Sequence, residues 1–198
     1  MVHDILLHVS AVGLRRNRLP ERSRPIASSN RDDASLRGHF VRTATKSDLP
    51  LICVIEDGSF PDPYPPALME RLQHDYSDSF FVVENASGKL VGYCVASDRG
   101  GVAHLISIGV LREHRRKGAG AALLKTLLEW SKVRRVDELW LEVNAENGDA
   151  IKFYEQFGFG KIMVLENYYA DGSPALRMRL RMKNDAREGP GRGRGRKA

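Results

Sequence analysis

From Val102 to Val143 the spacing of apolar residues changes twice, and no other stretch constrains the fold as much. "VAHLISIGV" reads as a strand, "AALLKTLLEW" repeats its apolar residues at helical spacing, and "ELWLEV" alternates apolar with polar. In the helix, predicted from Gly118 to about Arg134, Leu124, Leu127 and Leu128 share one face and Lys125, Glu129 and Lys132 the other. Strand, helix and strand in succession make a crossover, so the two strands are expected to lie parallel in one sheet.

The rest of the chain fits around that unit. "HFVRTAT" reads as a strand, and Ser47-Asp48 can cap a short helix through "LPLICVIED". A Pro-rich turn, "FPDPYPP", leads into a second short helix, "ALMERLQHD". "SFFVVEN" and "KLVGYCVAS" form a hairpin across "ASG", which "VAHLISIGV" extends into a meander. After "ELWLEV" a helix from Asn147 can end at Gly158, followed by strands "GKIMVL" and "ALRMRLR". The expected class is mixed α/β (α+β), a central sheet of about seven strands with about four helices.

A chain of 198 residues, 42% hydrophobic, buries one ordinary core. Its formal charge of +6 invites a nucleic-acid reading, but that charge is unevenly placed. Residues 1–38 hold 7 Arg/Lys against 4 Asp/Glu and residues 183–198 hold 6 against 2, which leaves 18 against 19 for residues 39–182. The folded domain is expected at 39–182, between a disordered basic N-terminal extension (1–38) and a disordered Gly/Arg-rich tail (183–198). "ILLHVSAVGL" falls short of the roughly 20 apolar residues of a membrane span, and no cation precedes it as a secretory signal requires. A soluble, cytoplasmic protein without a membrane partner is expected. Cys53 and Cys94 lie in apolar segments, where a small buried thiol is commoner than a bridge or a nucleophile. The six histidines show no paired metal-ligand spacing, so no metal is expected.

The chemistry concentrates in "HRRKGAG", where Arg115, Arg116 and Lys117 run into Gly118, Ala119 and Gly120 at the start of the helix. A helix start exposes unpaired N–H groups and the positive end of the dipole, and glycines let an anion approach the backbone. With three cations beside it, the segment suits a pyrophosphate. A solvated loop with turn-making glycines is the plainer alternative. A dinucleotide fingerprint is disfavoured, because its third glycine would fall at Leu123 and the basic run separates strand from turn. No Lys-Ser/Thr follows the second glycine, which excludes a P-loop.

The pattern Arg115-x-x-Gly118-x-Gly120 resembles the acetyl-CoA pyrophosphate loop of the GNAT acetyltransferases, (Q/R)-x-x-G-x-(G/A). Downstream, "LWLEVNAENGDAIKFYEQFGF" is similar to that family's second CoA-contacting segment, with Asn147, Ala150, Tyr154 and Gly158-Phe159 at matching spacing. The likeness covers about residues 39–182. Within the family, "LEV", "AIKFYEQFGF" and "NYYADG" resemble the protein N-terminal acetyltransferases, of the ribosomal-protein-alanine type and the archaeal and eukaryotic catalytic-subunit type. The chain departs from that pattern at Ser173-Pro174, where those relatives usually carry an acidic residue.

The resemblance implies a GNAT fold and acetyl-CoA as co-substrate, held by Arg115, Arg116, Lys117, Gly118, Ala119, Gly120 and Asn147. It also implies that backbone groups of Ile108, Gly109 and Val110, as far as Leu111, bind pantetheine and polarise the thioester carbonyl. Glu142 alternates with Leu139, Leu141 and Val143, so it is a carboxylate on an otherwise apolar strand, and burial is expected to raise its pKa. A strand-end glutamate facing water or pairing with a cation is the structural alternative; the resemblance makes Glu142 the general base, directly or through a water. Tyr154 shares a helical stripe with Ala150, Phe153 and Phe157, as a core residue would, and the resemblance makes it the general acid toward the sulfur. His104 and His114 are read as structural or solvated. The resemblance also implies that "FPDPYPP" receives the acceptor, with Asp62 or Tyr64 contacting its first residues and Tyr168 and Tyr169 closing the other side; a loop merely stiffened by proline is the structural alternative for the first pair.

The implied activity is acetyl transfer from acetyl-CoA to the N-terminal α-amine of proteins, by direct attack in a ternary complex. An α-ammonium has a pKa near about 8 and a lysine near about 10.4, so the α-amine needs only a modest base. Two alternatives remain: acetylation of a lysine or small amine, and a ribosome or RNA tether acting through the basic ends.

Overall fold

The computed structural model describes residues 38–182. The expected N-terminal extension, Gly38 excepted, and the expected tail at 183–198 lie outside the described residues. Alternating or continuous apolar runs become seven strands: β1 (Phe40–Thr43), β2 (Phe80–Glu84), β3 (Leu90–Arg99), β4 (Val102–Val110), β5 (Glu138–Asn144), β6 (Gly160–Leu165) and β7 (Ala175–Arg181). They form one sheet in the order β1-β2-β3-β4-β5-β7-β6. Only β4 and β5, joined by the crossover helix, run parallel. The helices are α1 (Leu49–Asp57), α2 (Pro66–Asp75), α3 (Ala119–Val133) and α4 (Gly148–Gln156). None of the described helices is long and apolar enough to cross a membrane.

Both sheet faces are buried where helices cover them, which explains the continuous apolar runs of β2 and β3. On one face Ile52 and Ile55 of α1 and Met69 and Leu72 of α2 pack on Phe80, Val82, Tyr93 and Val95. On the other, Leu123, Leu124, Leu127 and Trp130 of α3 and Ile151 and Tyr154 of α4 pack on Cys94, Leu139, Leu141, Val143 and Met178. The odd residues of β5 enter this second core, so Trp140 and Glu142 point to the first face.

Two irregularities of β4 shape the middle of the sheet. Val95 pairs with Ser107 but Ala96 with Leu105, so Ile106 is the extra residue of a bulge. Next, β4 pairs with β5 only from Val102 to His104, opposite Glu138 to Trp140. β7 holds β5 along its whole length while β3 holds β4, so the two strands part beyond His104 and leave a gap in the sheet.

Capping at the start of α1 differs from expectation. The Ser47-Asp48 cap is not made; Asp48 turns back to the N–H and hydroxyl of Thr45, at 2.7 and 2.8 Å, and stabilises a 3₁₀ turn over Lys46–Asp48. The physical reason is Arg42, whose guanidinium takes both Asp48 oxygens at 2.8 Å and fixes the carboxylate away from the helix. This fork, with Thr45, holds the Asp48 carboxyl well below the usual range. Its stabilisation is therefore complete above about pH 4 and is lost as pH falls through the lowered folded pKa. Asp48→Asn is expected to cost about 1–2 kcal/mol near neutrality, Arg42 being 43% exposed and partly screened by water. Urea titrations should show the difference from the parent protein closing at low pH.

Candidate active site

Several of the expected residues lie along the gap between β4 and β5. A strand residue directs its N–H and C=O to one side, and successive residues alternate. The Leu111 N–H binds Val91 O, so Gly109 also faces β3, while the backbone groups of Ile108 and Val110 face the gap. The expectation that Gly109 offers its own backbone there is corrected accordingly. What Gly109 supplies is the absence of a side chain: a Cβ would lie 2.8 Å from Tyr93 Cε1 and 3.2 Å from Ile55 Cγ2, so α1 could not lie this close.

At the far end of β4 the chain makes a 3₁₀ turn, Arg112–His114, and enters the cationic loop. Arg115 donates from Nε to Val110 O at 2.9 Å, and Arg116 adopts φ +57°. Gly118 caps α3 at φ +96°, a conformation that strains any L side chain, and it has no side chain of its own to offer the helix's first N–H groups. Arg115, Arg116 and Lys117 are exposed around these amides, Ala119 is buried, and Gly120 faces Val110 and Phe153 of α4. Cations beside helix-start amides can hold an anion. Asn147 caps α4, its Oδ1 accepting the Ala150 N–H at 3.0 Å.

Where the pairing of β4 and β5 ends, Glu142 meets two cationic or ionisable partners. His104 Nε2 lies 2.6 Å from Glu142 Oε2, and Arg177, its cross-strand neighbour on β7, donates from Nε to Oε1 at 2.7 Å. The expected direction of the Glu142 pKa is thereby reversed. Burial pushes it up, but the hydrogen bonds and charges of His104 and Arg177 together outweigh burial and hold it below the usual carboxylate value. His104, expected to be structural or solvated, is the partner that holds Glu142 from β4. Its signal lies in parity: His104 and Glu142 point to the same sheet face once Val102 is paired with Glu138.

Tyr154 approaches from the opposite face. Its ring packs edge-on against Phe153 and Phe159, and burial, with Cys94 and Tyr169 adding to it, holds its phenol above the ordinary value. It is neutral, a proton donor, throughout the physiological range.

Three further phenols surround Glu142. Burial, reinforced by the charges of Glu56 and Glu142, pushes Tyr64 up to about 12. Tyr169 is likewise raised to about 12 by burial and Glu142, and Tyr168 is raised by the same causes. Tyr168 and Tyr169 meet edge to face at 5.1 Å between ring centroids. Their loop is tied to β5 through Ser173, which donates to Asp171 Oδ1 at 2.7 Å and accepts from Asn144 Nδ2 at 3.2 Å. Asp62 is exposed in the opposite loop, between α1 and α2. A second carboxylate missed in the sequence, Glu56, lies under that loop at 2% exposure. Its only signal is a charge on the apolar face of α1, four residues from Ile52.

The sequence profile of the acetyltransferase (GNAT) family matches residues 49–159. An N-alpha-acetyltransferase of Sulfurisphaera tokodaii is 34% identical over 151 residues, covering 70% of this chain and 90% of the relative. A [ribosomal protein bS18]-alanine N-acetyltransferase of Escherichia coli is 32% identical over 123 residues, covering 62% of this chain and 82% of the relative. The crystal structure of Ard1 from Thermoplasma volcanium superposes with a TM-score of 0.71 at 30% identity, over 74% of this chain and 99% of that one.

Proposed function

The chain belongs to the acetyltransferase (GNAT) family, and from that premise we propose that it transfers the acetyl group of acetyl-CoA to the N-terminal α-amine of proteins, by direct attack in a ternary complex. The similarity to N-alpha-acetyltransferases supports the acceptor class. The observation that carries the chemistry is the His104–Glu142 pair at the point where β4 and β5 separate.

Acetyl-CoA supplies the acyl group as a thioester. The cationic loop and the first amides of α3 hold its diphosphate, and the outward-facing backbone of Ile108 and Val110 holds the pantetheine and donates to the carbonyl oxygen. Glu142, ionised, keeps the His104 tautomer whose Nε2–H points to it and leaves Nδ1 to accept the amine proton, directly or through a water. As the new C–N bond forms and the C–S bond breaks, Tyr154 protonates the departing sulfur. Tyr64, Tyr168, Tyr169 and Asp62 border the entrance for the acceptor, where neutral phenols and carboxylates suit an ammonium arriving from water. This reading puts the enzyme in the cytoplasm with its nascent or newly released substrates.

Two peptides presented together decide the acceptor. One has a free N-terminus and no lysine, the other a blocked N-terminus and one internal lysine. Mass spectrometry should find the acetyl group on the first, with kcat/KM at least about 100-fold higher than for the second, since the two ammonium groups differ by roughly 3 kcal/mol in deprotonation. Preferential lysine labelling would overturn the α-amine assignment.

A further inference from the structure

We propose that Glu56 is a positioning residue that locks the acceptor-side loop, residues 58–65, onto the bulge of β4 through Tyr93 and Ser107. The proposal rests on the reading of that loop as part of the acceptor site.

The loop reads "GSFPDPYP", and its three prolines at 61, 63 and 65 have no N–H to offer. Three of the donors that remain go to one residue. The Glu56 carbonyl accepts the Ser59 N–H at 2.9 Å and the Phe60 N–H at 3.1 Å, and its Oε1 accepts the Tyr64 N–H at 3.0 Å. The second oxygen faces the sheet. Tyr93 donates to Oε2, Ser107 Oγ lies 2.7 Å from the Tyr93 hydroxyl, and Ser107 itself lies 3.5 Å from Oε2.

Each end of this chain of contacts reaches a working part. Ser107 follows the extra residue of the bulge and precedes Ile108, whose backbone faces the gap. Tyr64 borders the acceptor entrance near Glu142. A carboxylate enclosed among Ile52, Ile55 and Tyr93 is costly unless every lone pair is used, and here the partners are the loop and the strand that must keep register with one another. A leucine would fill the same space and remain compatible with the apolar face of α1; what it would lose is the link. The link sets where the acceptor stands relative to the polarised carbonyl, so its loss acts on acceptor binding and leaves the diphosphate site, at the other end of β4, as it was.

The test compares steady-state kinetics of full-length variants on a free-N-terminus peptide with acetyl-CoA affinity measured by calorimetry. Glu56→Leu is expected to raise the peptide KM by about 10-fold or more, with the acetyl-CoA Kd within about twofold of the parent. Glu56→Gln should rescue the KM to within about threefold, because the amide accepts from Tyr64 and donates to Tyr93. Tyr93→Phe keeps the ring against Phe80 and severs only the strand side; it carries the test should Glu56→Leu fail to fold, with an expected rise of about three- to 10-fold. Parent-like peptide KM in Tyr93→Phe or in folded Glu56→Leu overturns the role of Glu56. So does a loss of acetyl-CoA affinity equal to the loss of peptide affinity, which marks general loosening. If the parent protein binds acetyl-CoA but leaves the peptide untouched, the acceptor reading itself falls, before any variant is compared.

Discussion

Glu142→Gln is expected to lower kcat by about 100- to 1,000-fold while leaving the acetyl-CoA Kd within about twofold of the parent. The amide preserves volume but presents no charge to His104, so the imidazole loses both its fixed tautomer and the partner that stabilises it when protonated. Arg177 then faces a neutral group, a change confined to the first face of the sheet and remote from the cationic loop. His104→Gln should cause a loss of similar size, and the double variant should be little worse than either, because the two act as one unit. The pH profile separates this arrangement from a lone buried carboxylate. A glutamate raised by burial alone would impose its own limb as it ionised. Glu142 is lowered by His104 and Arg177, stays charged through the assay range, and adds no limb there. The rise of kcat/KM with pH should instead follow the two groups that exchange the proton, the acceptor α-amine, near about 8, and the His104 imidazole. A Glu142→Gln variant with parent turnover removes this residue from the mechanism.

The contrast between His104 and the elements around it explains which parts of the molecule are legible in sequence. β4 is readable residue by residue, from Val102 to Val110, because a bounded run of apolar and β-branched residues announces itself locally. The start of α3 is readable for the same reason: Gly118 at positive φ followed by a 15-residue amphipathic run needs no distant partner to be recognised. His104 and Glu142 are 38 positions apart, and their contact depends on a parallel register of three residue pairs that no local pattern encodes. The bulge at Ile106 compounds this, since it resets which residues of β4 face α1, turning Ser107 toward Tyr93 and so toward Glu56. The Ser47-Asp48 cap fails for the same reason on a smaller scale: the local signal is correct in kind, but a guanidinium from β1 claims the carboxylate first. Burial alone is the wrong guide to Glu142, because a half-buried cluster shifts a pKa by its partners at least as much as by the water it excludes.

Charge reversal of the loop, Arg115, Arg116 and Lys117 all to Glu, is expected to weaken acetyl-CoA binding by at least about 100-fold, roughly 3 kcal/mol, with little change in thermal stability. Arg116 and Lys117 are exposed and outside the core, so reversing them should act on the ligand and not on the fold. Arg115 has a second function, closing β4 through the Val110 carbonyl, and Arg115→Glu alone should therefore have the largest single effect of the three. Parent affinity should fall as salt rises, since exposed cations at a diphosphate are screened over about 10 Å at 0.1 M, and the reversed variant should lose that dependence. Gly118→Ala distinguishes charge from geometry. It keeps all three cations but strains a residue at φ +96°, tilting the first amides of α3 away from the anion, so affinity should drop while salt sensitivity persists. If both the reversed loop and Gly118→Ala bind acetyl-CoA as the parent does, the diphosphate is not held at this helix start, and the order of donor and acceptor along β4 has to be redrawn.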